Sequence, residues 1–333
     1  MDQTGHTLSI HYSKERDWYT ACTHQMPYIF VPSVTRDALA TAADERWSGV
    51  LVVRPDLQPA VDLQRRLIAI VIDLAQTIES GRLPRLSLPP KYLAAKLARG
   101  VPVLAGEPIP LPVPLLTTSL IELCGALAAG GAGEVAEHIR SAIERGSMEP
   151  GSLLASSLSR DQAAIRTGAT HRGLAPDLVW LVAELAVGPF AHALQRALFA
   201  NPALAEALES WKCGYCPACG SWPAMAEVVG GHRALRCSFC ASAWELRTYA
   251  CVYCGEDGAP FVTAAPNEER KDRRVEVCAN CAGYLKTVDT AELSPFPLLS
   301  IADLETMDLD VAAMERGYAR PVLKEFAKLS GRH

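Results

Sequence analysis

The chain has 333 residues, room for one large domain or two moderate ones, and its 49% hydrophobic and 21% charged residues are ordinary for a globular protein. Its formal net charge of −5 leaves no overall basic field to hold nucleic acid or acidic lipid. The first 30 residues include Lys14, Glu15, Arg16 and Asp17 and no apolar run of the signal-peptide kind. The most apolar stretches, residues 67–75 and 178–194, are interrupted by Asp73, and by Glu184 and Pro189, short of the ~18 uninterrupted apolar residues of a membrane span. Eleven cysteines without an export signal predict a reducing compartment, where paired cysteines bind metal rather than form disulfides. The expected location is the cytoplasm, with no membrane partner.

Residues 1–34 read as polar and irregular; Cys22 and His24 there lack local partners and are expected to be a buried thiol and a surface imidazole. Thr35 is a plausible N-cap for a helix over 37–47. Over 56–80, Val61, Leu63, Leu67, Ile68, Val71, Leu74, Ala75 and Ile78 recur at helical spacing, and Gly81 stands where a C-terminal cap belongs. Pro84, Pro89 and Pro90 separate this helix from one over 91–99. Residues 100–114, with five prolines and two glycines, predict a rigid connector. Helices follow over 115–129 and 133–145, split by the turn Gly130-Gly131-Ala132-Gly133, which lacks the strand and the Lys-Ser/Thr of a phosphate-binding loop. Further helices are predicted over 151–168 and 176–199, and Asn201-Pro202 starts a last one to residue 210. This half shows no acid/base or nucleophile constellation. His138, His171 and His192 stand singly and are expected to be surface or satisfied core residues, and Cys124 a core thiol.

Composition changes at Trp211. The chain then reads Cys216-Pro-Ala-Cys219-Gly, Cys237-Ser-Phe-Cys240, Cys251-Val-Tyr-Cys254-Gly and Cys278-Ala-Asn-Cys281. Four C-x-x-C pairs in 66 residues offer eight soft ligands, enough for two tetrahedral S4 sites. The 17 residues between the first two pairs fall in the spacing window of a metal ribbon; the 23 between the last two are of the same form. Short apolar runs at 223–229 and 232–237 flank Gly230-Gly231, a hairpin signal. Runs at 259–265 and 273–278 flank a charged turn at 267–272. Each unit therefore has a leading C-x-x-C-Gly knuckle, a hairpin and a closing C-x-x-C-Ala pair, an internal duplication. Local loop closure favours Cys216, Cys219, Cys237 and Cys240 around one metal, and Cys251, Cys254, Cys278 and Cys281 around the other.

Four protein ligands leave no position for substrate or water, which suits a structural or electron-transfer site and not an enzyme. Tetrahedral S4 accepts zinc or a single iron. From 211 to 290 nine Lys or Arg face nine Asp or Glu, and each M(II)S4 centre adds about −2, so a nucleic-acid partner is disfavoured. Cys213, three before Cys216, is expected to be a spare surface thiol, with a redox-active role as the alternative.

At these cysteines the chain resembles the formate dehydrogenase accessory protein FdhE family. The carriers are Cys216-Pro-Ala-Cys219-Gly-Ser-Trp-Pro; Arg236-Cys237-Ser-Phe-Cys240 with Trp244 and Arg247; Cys251-Val-Tyr-Cys254-Gly; and Cys278-Ala-Asn-Cys281-Ala-Gly-Tyr284-Leu-Lys286. Ile301-Ala-Asp303, Asp308, Asp310 and Glu315-Arg-Gly317-Tyr318 continue the likeness, which covers about a third of the chain; no family motif is found in the N-terminal half. The resemblance implies an α+β protein: an all-α domain (1–210), two tandem rubredoxin-like or zinc-ribbon-like modules (211–247 and 248–290) and a C-terminal helical tail (291–333). It implies two bound metal ions, iron favoured and zinc possible, and a cytoplasmic factor that binds the catalytic subunit of a molybdenum or tungsten formate dehydrogenase and serves its maturation. The Cys216/Cys219 knuckle is where a redox or docking role beyond structure is expected. A rubredoxin-like electron carrier, or a zinc-ribbon module with another protein partner, is the alternative, and self-association into a homo-oligomer stays open.

Overall fold

The computed structural model describes residues 28–29, 31, 34–81, 88–246, 248–265 and 271–321. Cys22, His24, Pro84, Arg247 and the charged residues Glu268, Glu269 and Arg270 lie outside them, as does the end of the tail. The architecture is mixed: a helical half, one β-sheet, and a short helical return.

The helical half runs α1 (Arg36–Val53), α2 (Gln58–Ser80), α3 (Pro90–Ala98), α4 (Val113–Leu127), α5 (Gly133–Glu144), α6 (Pro150–Leu158), α7 (Gln162–His171), α8 (Pro176–Phe199) and α9 (Pro202–Leu208). Thr35 caps α1, its side chain accepting from the Ala38 amide. The stripe of α2 buries Val61, Ile68, Val71, Ile72, Leu74 and Ile78, each worth about 1.5–3 kcal/mol of burial. Helix α8 is the hub. It is buried on nearly every side, and α2, α4, α6 and α7 pack around it.

Two helical stretches, Val113–Glu144 and Pro176–Phe199, are long and apolar enough to cross a membrane by length and composition. The first is two helices, broken where Gly131 adopts φ +114°, and the 15 residues of α4 reach only about 22 Å. The second is the core helix itself, 72% of its apolar window buried inside the protein.

The single helix expected over 151–168 is two. The chain turns left-handed at Arg160 (φ +63°), and Asp161 caps α7 by accepting from the Ala164 amide. Residues 28–29, expected to be irregular, form a strand.

Among the described residues, β1 (Tyr28–Ile29), β2 (Pro223–Val229), β3 (His232–Cys237), β4 (Ala243–Trp244), β5 (Phe261–Ala264), β6 (Arg273–Cys278) and β7 (Gly283–Asp289) form one sheet in the order β1-β4-β3-β2-β7-β6-β5. Both expected hairpins are present. Gly230 and Gly231 take φ +58° and +86° between the paired Val229 and His232, the two positive values that a two-residue hairpin turn requires. Each unit adds a third strand after its closing cysteine pair, β4 in the first and β7 in the second. The units repeat head to tail, and β2 pairs in parallel with β7 from Met225↔Lys286 to Val228↔Asp289. The tandem modules thus share one ladder.

Buried charges lock this sheet. Arg233 of β3 makes a bidentate pair with Glu276 of β6 at 2.7 and 2.5 Å, with the Thr287 hydroxyl donating to the same carboxylate. Arg236 pairs with Glu227, and both hold the backbone of Ser294. Lys286, fully buried, reaches Asp303 and Asp310, each at 2.6 Å, and Tyr284 donates to Asp310. These contacts fasten α10 (Leu299–Glu305) and α11 (Met307–Met314) to the sheet. Leu298 and Ile301 then pack on Leu39, Trp47 and Val61, returning the chain to α1 and α2.

Burial opposes ionisation of Asp303, but Arg320 and Lys286 outweigh it and hold the carboxyl below its usual range. A carboxyl depressed on folding contributes stability above its unfolded value and loses it as pH falls through the folded one. Asp303→Asn is therefore expected to lower Tm at pH 7, with the gap to wild type closing below about pH 4. Thermal melts across pH 3–8 check this; a gap independent of pH removes the ion-pair explanation.

Candidate metal centres

Hairpin register brings the ligands together. In the first unit Pro223, just past the leading knuckle, pairs with Cys237; in the second, Phe261 pairs with Cys278. Cys216, Cys219, Cys237 and Cys240 consequently converge, and so do Cys251, Cys254, Cys278 and Cys281, with all sulfurs of a quartet within 4.8 Å of one another. In the first, Cys216–Cys240, Cys219–Cys237 and Cys219–Cys240 are 3.7, 3.5 and 3.7 Å apart. In the second, Cys251–Cys281 and Cys254–Cys278 are both 3.6 Å apart. A disulfide needs about 2.05 Å. A tetrahedron of sulfurs about 2.3 Å from a central ion has edges of about 3.8 Å, so the donor set fits an ion and not a pair of disulfides. The two units use the same corners, first cysteine opposite fourth and second opposite third.

Backbone amides point at the sulfurs. Ala218 N–H donates to Cys216, and the Phe239 and Cys240 amides donate to Cys237, all at 3.4 Å. In the second unit Tyr253 and Cys254 amides face Cys251, Glu256 faces Cys254, and Gly283 faces Cys281. Such N–H···S bonds spread the charge of a thiolate centre. The residue after each knuckle is left-handed: Gly220 (+83°), Ala241 (+53°), Gly255 (+80°) and Ala282 (+53°). The two glycines stand where the sequence places them; the two alanines adopt the same turn at a cost of about 1 kcal/mol. Since a Cβ on Gly255 would meet nothing within 4 Å, Gly255→Ala is expected to lose about 1 kcal/mol in urea unfolding and no bound metal.

The quartets differ in surroundings. All four cysteines of the first are buried, whereas Cys254 and Cys281 of the second are exposed. The helical half seals the first. Val103 and Leu104 amides donate to Pro217 and Ala218 carbonyls at 2.9 Å, and His192 of α8 donates from Nδ1 to the Cys240 carbonyl at 2.9 Å. Burial depresses the His192 imidazole to about 4, so it stays neutral there, a satisfied core histidine. Arg160 pairs with Glu184 of α8 and lies 4.0 Å from the Phe239 ring, inside the closing knuckle. Glu184, Gly188 and His192 form one face of α8 against that knuckle, the Phe239 carbonyl 3.5 Å from where a Gly188 Cβ would stand.

Electrostatics follow burial. Burial pushes the Cys216 and Cys240 thiols up. At Cys219 burial acts the same way, but hydrogen bonds from the other three thiols and the charge of Arg160 outweigh it and hold this thiol low. Burial raises Cys251 and Cys281, while Cys254 is lowered by the Glu256 amide and its neighbouring thiols against its own desolvation. Four thiolates without a cation oppose one another; a divalent ion removes the conflict.

Sequence reasoning missed Arg160, His192 and the 103–104 segment as covers of a site, because their sequence distance from the cysteines leaves no local signal. The Cys216/Cys219 knuckle, where a redox or docking role beyond structure is expected, is buried. Cys213 joins neither quartet and is half-buried beside Gly100. Cys124 is a core thiol, pushed up to about 12 by burial.

No protein-family model matches the chain. Curated proteins do: "Protein FdhE homolog" of Aquifex aeolicus is 28% identical over 117 residues, 34% of this chain and 41% of that one. "Protein FdhE" of Escherichia coli is 32% identical over 116 residues, 34% and 37%, and the Stutzerimonas stutzeri homologue is 33% identical over 120, 32% and 35%. The resemblance to the FdhE family stands. The matched segment spans well under half the length of these FdhE relatives. The fold extends further: the crystal structure of the FdhE protein from Pseudomonas aeruginosa superposes with a TM-score of 0.54 over 89% of this chain and 96% of that one, at 24% identity.

Proposed function

We propose that this protein is a formate dehydrogenase accessory factor that binds the catalytic subunit of a molybdenum or tungsten formate dehydrogenase in the cytoplasm and supports its maturation. In this reading Cys216, Cys219, Cys237 and Cys240, and Cys251, Cys254, Cys278 and Cys281, ligate two ions, with iron favoured and zinc possible, and the chain catalyses nothing itself. The observation that carries it is the pair of closed sulfur quartets set in an FdhE-like sequence and fold. With every coordination position taken by protein, such centres build a surface and are not hydrolytic sites. The test is co-purification of the tagged full chain with the catalytic subunit, together with formate dehydrogenase activity in a deletion strain; unchanged activity removes the proposal.

One observation favours electron transfer as a second reading. Edge-to-face contacts run from Tyr215, beside Cys216, to Trp222 at 5.7 Å and on to Tyr253 at 5.1 Å, inside the second leading knuckle. Iron-loaded protein would then show thiolate charge-transfer absorption and a reversible one-electron couple; a colourless, zinc-only protein excludes it.

A further inference from the structure

The asymmetry between the quartets points to a division of labour that rests on the metal-binding part of the proposed function. We propose that the first quartet is a permanent fastener and the second an exchange site, whose ion passes to and from an incoming soft donor, a thiolate, at the Cys254/Cys281 edge. Ligand exchange at a four-coordinate thiolate ion needs a path for the incoming donor and a ligand free to leave.

The first quartet offers neither. Its four cysteines are at most 3% exposed. Its knuckles are bound to Val103 and Leu104 on one side, and to His192 and Arg160 on the other. Freeing any sulfur requires parting the sheet from α8 and the connector.

The second quartet is clamped on its inner half alone. Val252 abuts Gly214, whose Cβ would stand 1.9 Å from the Val252 carbonyl oxygen. Tyr253 packs on Trp222 and donates to the Tyr284 carbonyl at 2.8 Å. Cys251 and Cys278 are buried behind this clamp. The outer sulfurs, Cys254 and Cys281, face solvent in two exposed stretches, 254–255 and 279–282. The exposed Asn280 amide donates to the Cys254 sulfur at 3.8 Å, a contact that water replaces at little cost. An incoming thiolate can bind the ion while one outer Cys–metal bond breaks. The departing thiolate takes a proton from solvent, and no electron changes hands. The inner clamp and the β2/β7 ladder keep the module folded meanwhile.

The test uses the full chain loaded with zinc and challenged with a chromogenic chelator, with and without a small monothiol. Release is expected in two phases of one ion each, the faster at least about tenfold quicker and accelerated by the thiol, because local opening costs less than global opening. N-ethylmaleimide mapped by mass spectrometry is expected at Cys254 and Cys281 in the fast phase, with Cys216, Cys219, Cys237 and Cys240 unmodified. Cys254→Ser is expected to remove only the fast phase while the sheet stays folded by circular dichroism. A single phase for both ions, or first-quartet labelling first, overturns the division of labour and leaves the accessory role standing. A full chain that retains no ion overturns both.

Discussion

Cys219→Ser is expected to unfold the sheet, whereas Cys281→Ser is expected to leave it folded with a weakened second site. Cys219 is 3% exposed, and its sulfur lies 3.5 and 3.7 Å from those of Cys237 and Cys240. A serine hydroxyl is a poor ligand for a soft ion, and the burial of all four positions keeps bulk solvent from the site. The variant then leaves three thiols buried against one another with no cation among them. In small zinc modules metal binding supplies about 10–16 kcal/mol of apparent folding free energy. Losing half of that removes about 5–8 kcal/mol, comparable to the whole margin of a domain stable by about 5–15 kcal/mol. The first quartet also belongs to the main core, with Phe190, Leu194 and Trp222, so its collapse propagates into α8. Cys281 is exposed, and solvent can take its place at the ion. Metal analysis and thermal melts of both variants decide the matter; equal losses of Tm would show that burial does not set the importance of a ligand.

The features legible in the sequence are those governed by nearby residues. Four C-x-x-C pairs fix which atoms can converge, since a knuckle is a local turn and each hairpin closes over a short span. Gly230-Gly231 names its own turn, and the α2 stripe its own buried face. Features set by distant partners were not legible. Tyr28–Ile29 pairs with β4 more than 200 positions away, and nothing in two residues announces that. The parallel β2/β7 contact depends on how two duplicated units stack, and hence on the Arg233–Glu276 pair between them. The break at Arg160 had a signal, Asp161 as a cap, but the cause is remote: a guanidinium buried against Phe239 and Trp180. Arg236 and Lys286 are among the most buried side chains of the described residues, and nothing beside them in the sequence announces the distant carboxylates and carbonyls that hold them there. The inequality of the quartets lay beyond the sequence because their ligands are identical; the helical half makes the difference.

Gly214→Ala is expected to separate the two centres at a cost of about 3 kcal/mol or more, the upper range for forcing atoms into a packed interior. The added Cβ would stand 1.9, 2.5 and 2.7 Å from the Val252 oxygen, carbonyl carbon and Cα. All three are backbone atoms of the second knuckle, so no rotamer change relieves the clash. Either the 211–216 segment or the knuckle must move by more than an ångström, and both are pinned. Trp211 donates to the Tyr215 carbonyl at 3.0 Å, Tyr215 donates to the Gly100 carbonyl at 2.7 Å, and Trp222 meets Tyr253 edge to face. The displacement therefore strips aromatic contacts worth about 0.5–1.5 kcal/mol each as well as straining the chain. Gly255→Ala, in open space, is the control. Urea midpoints of the two variants, with zinc retention by the second quartet, measure the effect. A Gly214 variant no less stable than the Gly255 variant would mean that the knuckle yields to the methyl group, and that the inner clamp invoked for the exchange site is not rigid.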